Sequence, residues 1–134
     1  GIWQERSQRI RWWGVMAKPL HSTTIDFLLF DDAKRPIKFL LFVWRTLPEM
    51  RSANGLTDKA RAYGLCYQSR SQTFAAIHLA ATVLQADVIA HECEHAAAQL
   101  RRTLKLDDDE HDEETNAEIT GLLNHLVMEE LAKI

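Results

Sequence analysis

The sequence predicts an α+β fold in which a small antiparallel sheet packs against two long helices near the end of the chain. Three observations lead there. Short apolar runs of strand-like composition fall within residues 25–81, two stretches of helical periodicity cover residues 87–102 and 113–132, and no repeat or low-complexity tract interrupts them. At 134 residues the chain fits a single domain over residues 1–134, since a domain ordinarily takes roughly 100–150 residues, with residues 1–20 as a mobile segment. Hydrophobic residues make up 46% and charged residues 26%, enough apolar content to build a core and too much for a disordered chain.

The first strand is expected at residues 25–30 and its antiparallel partner at residues 39–44. Asp31, Asp32 and Pro36 favour a turn or loop between them. Two more strands are expected at residues 61–67 and 73–81, joined by a hairpin at Ser69-Arg70-Ser71. Gly64 in the third run relieves a bulge, a close packing contact or a turn. Before it, Pro48 and Asn54-Gly55 read as breakers within an internal connection, followed by Thr57 as the cap of a short helix.

In the helix over residues 87–102, steps of 100° per residue place Ile89, Cys93, Ala96, Ala97 and Leu100 on one face. His91, Glu92 and His95 fall on the other side. In the helix over residues 113–132, Ile119, Leu122, Leu123 and Leu126 supply the packing face. Glu114, Glu118 and His125 share a different sector, and the small Ala117 and Gly121 let two helices approach closely.

Several function classes are disfavoured. Two cysteines, Cys66 and Cys93, give no disulfide framework; both read as packing residues, and a reducing cytoplasm is expected. No apolar stretch approaches the roughly 20 residues that span a bilayer. The net charge of -3 is uneven, with four Lys/Arg against ten Asp/Glu in residues 101–134 and twelve against nine before them. Neither balance signals nucleic acid, although the basic, aromatic residues 5–20 carry a weak hint of an acidic partner. Trp3, Trp12 and Trp13 read equally as core cover or partner surface. The acidic run 107–113 lacks the glycine and spacing of a calcium loop and reads as a solvated connector, with Asp112 as a helix cap. His78, Tyr63 and Tyr67 read as packing or local hydrogen-bonding residues, and no glycine-rich phosphate cradle is present.

The chemistry concentrates in His91-Glu92-Cys93-Glu94-His95. Two imidazoles one helical turn apart suit Zn2+, and a glutamate beside the first can take a proton from an attacking water. A third ligand is needed to leave one position open in a four-coordinate site. Glu114 is the favoured donor, 19 residues after His95, with Glu118 and Glu113 as alternatives. Glu118 also suits a hydrogen bond to a ligating histidine, and His125 is a further candidate donor or transition-state stabiliser.

These two segments, residues 91–95 and 113–131, resemble the paired helices of a compact gluzincin, especially the small metallopeptidases encoded by phages and prophages. The likeness covers mainly residues 73–133. It implies His91, His95 and Glu114 as zinc ligands, Glu92 as the catalytic base, and Ala117 as the small residue one turn beyond the third ligand. It also implies that residues 73–81 form a strand whose exposed edge aligns an extended protein or peptide substrate. Glu94 departs from the family pattern, where the position is usually uncharged, and its angle on the helix places it toward solvent. The competing expectation is a zinc-stabilised protein-binding or regulatory module, which a fourth protein ligand would favour over an open water position.

Overall fold

The computed structural model describes residues 18–28, 36–56, 62–68, 75–104 and 112–134. Among them the order is β1 (His21–Leu28), β2 (Pro36–Trp44), α1 (Leu47–Ala53), β3 (Gly64–Gln68), β4 (Ala75–Ala80), a 3-10 turn (Ala81–Val83), α2 (Ala86–Leu104) and α3 (Asp112–Leu131). The expected hairpin at Ser69-Arg70-Ser71, the cap at Thr57, most of the turn after β1, most of the acidic run and the tryptophans of residues 1–17 lie outside the described residues.

The sheet is mixed, not antiparallel as expected. Its order is β1-β2-β4-β3, with antiparallel pairs at the two sides and β4 parallel to β2 in the middle, from Phe39↔Ala75 to Trp44↔Ala80. Alternation along a strand records which face is buried and is blind to the direction of the neighbour. The parallel pair instead follows from the long connection between β2 and β4, which contains α1 and β3. A central strand loses solvent on both faces, and all six residues of β4 are buried, the pattern of its nearly uninterrupted apolar run.

On one face of the sheet, Phe39, Leu41 and Val43 of β2 and Ile77 and Leu79 of β4 meet the apolar stripe of α2, where Ile89, Cys93, Ala96, Ala97 and Leu100 are buried as the periodicity predicts. Ile119, Leu123 and Val127 of α3 join the same core. Burying each contributes about 1.5–3 kcal/mol, well above the roughly 1 kcal/mol that Gly121 costs inside the helix. The expectation that Ala117 and Gly121 allow close helix approach is wrong: both are exposed, and a Cβ added at Gly121 would meet nothing within 4 Å.

The opposite face carries α1. Pro48, read as a breaker, lies in the first turn of this helix, where its missing N–H costs nothing, and Thr46 caps the end by accepting from the Glu49 amide at 3.3 Å. Gly55 ends it with φ 73°, and the Leu56 amide reaches back to the Arg51 carbonyl at 2.8 Å. Behind α1, Trp44, Met50, Ala53 and Ala80 form a second apolar cluster. His78 lies fully buried beside it, stacked on Phe42 and Trp44. The Trp44 Nε1–H can only donate, so His78 Nδ1 is its acceptor at 3.1 Å, and Asn54 Nδ2 approaches the same nitrogen at 3.3 Å. Burial pushes the His78 pKa down to about 3. Packing and hydrogen bonding are thus the roles seen for His78, as the sequence suggests.

Candidate active site

Helix α2 carries a row of residues spaced by four, Asp87, His91 and His95, beside a second such pair, Val88 and Glu92. Residues at that spacing lie above one another on one helix face, so five side chains converge on the space between α2 and β3. The His91 and His95 Nε2 atoms are 3.1 Å apart, with the rings edge to face. Two nitrogens each about 2.0–2.1 Å from a tetrahedral ion stand about 3.3–3.4 Å apart. The observed separation fits that requirement to within a few tenths of an ångström, and both rings are exposed to the cleft. One ligand atom from each of His91, Glu92 and His95 lies within 4.8 Å of the others.

Glu92 differs from its neighbours. The helical angles group it with the two exposed histidines, yet it is only 4% exposed. The cause is β3, whose Gly64 backbone comes up against it: a Cβ added at Gly64 would stand 2.8 Å from Glu92 Cγ and 3.2 Å from Val88 Cγ1. Of the three roles open to Gly64, close packing is therefore the one realised. Burial raises the Glu92 carboxyl above the usual carboxylate range, against the opposing pull of His91, whose Nε2 lies 3.8 Å from Glu92 Oε1. Its carboxyl is set up to hold and release a proton nearer neutrality than an exposed glutamate.

Residues 62–66 form the opposite wall of the cleft, which has a volume of about 590 Å³, within the usual range of ligand sites. Cys66 belongs to this wall and Cys93 to the core behind it. Both thiols are free, and burial, reinforced by the nearby Glu92, pushes each up to about 12. Thiols so hard to ionise are poor nucleophiles, which disfavours cysteine chemistry here.

The strand beside the cleft is not the one expected. Residues 75–80 pair on both sides and offer no free edge, whereas β3 ends the sheet order among the described strands. Its short sequence, which opens on Gly64, carries no signal of that position.

Of the other candidate residues, Glu118 and His125 are exposed on α3 and do not line the cleft; His125 Nε2 pairs instead with Glu129 Oε1 at 2.9 Å. Glu113 and Glu114 lie in the first turn of α3, and their side chains fall outside the described residues. Glu94 is exposed, as its angle predicts. Asp87 and Val88 are cleft residues that the motif does not include, although their four-residue spacing from His91 and Glu92 is a signal that could have found them. No helix among the described residues is long and apolar enough to cross a membrane. Comparison with protein-family models, curated proteins and solved structures gives no match.

Proposed function

We propose that this chain is a zinc-dependent hydrolase that cleaves a peptide bond in a protein or peptide, after the pattern of a compact gluzincin. One observation carries the reading: two imidazole nitrogens converge at 3.1 Å beside a buried glutamate, on the floor of an open cleft. The donor chemistry suits zinc, with His91 and His95 as neutral nitrogen ligands and Glu114 as the proposed third. Zinc held by these residues would supply Lewis acidity, both to a substrate carbonyl and to a water that must lose a proton to become the nucleophile.

The rest of the work falls to the chain. Glu92 takes the proton of the attacking water and passes it to the departing amine, a transfer favoured by a carboxyl whose pKa burial has raised. As the strand that ends the described sheet order beside the cleft, β3 offers backbone groups to an extended peptide, so that main-chain hydrogen bonds supply affinity and the cleft selects among side chains. Burial of Glu92 under Gly64 limits the competing water around it. A cytoplasmic setting belongs to the same reading.

The test is a peptide-library digestion read by mass spectrometry with zinc-loaded wild type and Glu92→Gln. Wild type should cut a defined subset, and the variant should do so about 10²–10⁴-fold more slowly, the usual range for losing a general base. Equal cleavage by both would remove Glu92 from the mechanism, and no cleavage by wild type would count against the hydrolase reading.

A further inference from the structure

The wall of the cleft is held from outside the cleft. Arg51, in the last turn of α1, donates from Nε and Nη2 to the Ala62 carbonyl at 3.0 and 2.9 Å. The same guanidinium lies 5.9 Å from the centre of the Tyr63 ring. A rigid fork that grips one carbonyl and covers the next ring restrains two consecutive residues at once, which a single ammonium cannot do. Arg51 makes no ion pair with a carboxylate among the described residues.

Ala62 and Tyr63 matter because Gly64, the next residue in the chain, is the one packed on Glu92. At its other end the fork is well anchored: Asn54, which closes α1, donates to the Met50 carbonyl at 2.7 Å and approaches the buried His78 Nδ1 at 3.3 Å. Contacts therefore run from His78, on the far face of the sheet, through Asn54 and α1 to Arg51, then to Ala62, Gly64 and Glu92.

We infer that Arg51 is a positioning residue that latches the β3 wall against Glu92 and so fixes the shape of the cleft. Its effect on turnover rests on the hydrolase reading; the latch itself does not. Removing the fork leaves residues 64–66 held by their pairing with β4 alone, so that the start of the wall loosens from α2 while His91 and His95, which sit on α2, stay in place.

The two cysteines report this directly. Cys66 lies in the wall and Cys93 is fully buried in the core behind it. Iodoacetamide labelling of the full chain, followed by peptide mapping, is compared for wild type, Arg51→Ala and Arg51→Lys. The latch predicts roughly tenfold or faster labelling of Cys66 in Arg51→Ala, unchanged labelling of Cys93 and an intermediate Cys66 rate in Arg51→Lys. An unchanged Cys66 rate overturns the proposal, and so does a parallel rise at both cysteines, which reports loss of global stability. If Arg51→Ala does not fold, Arg51→Lys against wild type carries the same comparison. On any peptide that wild type cleaves, Arg51→Ala should lower kcat/KM with zinc content unchanged. If wild type cleaves none, the hydrolase reading falls and the labelling still decides the latch.

Discussion

Gly64 stands so close to Glu92 that one methyl group on its α-carbon would come within 2.8 Å of the glutamate Cγ. The atom it meets is near the base of the side chain, so a swing of the carboxyl end does not relieve the clash. Gly64→Ala is expected to cost about 1–3 kcal/mol in stability, the usual range for overpacking. It should also lower peptide cleavage while leaving zinc content unchanged, because His91 and His95 are not touched. Chemical denaturation and a metal assay on the same preparation measure both effects; a fully active Gly64→Ala protein would show that the contact has no bearing on the site.

Glu92 predicts a pH-dependent stability in the metal-free protein. Its folded-state pKa is raised, so the fold holds the proton to higher pH than the unfolded chain does. The stabilising contribution is complete below the ordinary carboxylate pKa and is lost as pH rises through the folded value. Glu92→Gln cannot ionise. Its thermal midpoint should exceed that of wild type by a few degrees near pH 7 and converge on it near pH 4. A midpoint below wild type at pH 7 would contradict the burial argument.

His78 predicts the opposite slope. With a folded pKa of about 3, below the ordinary value of 6.5, its contribution is present above pH 6.5 and is lost as pH falls from there toward 3. Full loss is on the order of 4–5 kcal/mol. His78→Phe should cost about 1–3 kcal/mol at neutral pH, because the Trp44 Nε1–H loses its acceptor. The same variant should flatten the acid limb of a stability-against-pH curve, and an unchanged limb would assign that limb to other groups.

Two of the α3 carboxylates, Glu114 and Glu118, should separate cleanly by zinc affinity. Glu114→Ala is expected to weaken binding by at least about 100-fold, whereas Glu118→Ala, at an exposed position outside the cleft, should change it by less than about tenfold. Competition with a chelating dye gives both values. The reverse order would move the third ligand to Glu118.

How much of the molecule is legible in the sequence depends on which property each residue encodes. The burial of Ile89, Cys93, Ala96, Ala97 and Leu100 follows from periodicity alone, and so does the His91 and His95 pairing, because four-residue spacing within a helix is local geometry. Both long helices have their ends within two residues of the expectation. Pairing between strands is not legible. The insertion of β4 between β2 and β3 depends on contacts distant in sequence, which no local pattern records. The burial of Glu92 is hidden for the same reason: its helix angle points it outward, and only the arrival of Gly64 covers it. Pro48 misleads because proline ends a helix from the inside and begins one at its first turn, so its meaning depends on recognising Thr46 as the cap.

The zinc site stands or falls on the metal bound per folded chain, measured by elemental analysis after loosely held metal has been removed, in wild type, His91→Ala and Glu92→Gln. The proposed site, with His91 and His95 as ligands and Glu92 as base and not ligand, predicts close to one zinc in wild type and in Glu92→Gln, and almost none in His91→Ala. Correctly folded wild type that takes up no zinc, or a His91→Ala protein that keeps it, would refute the site.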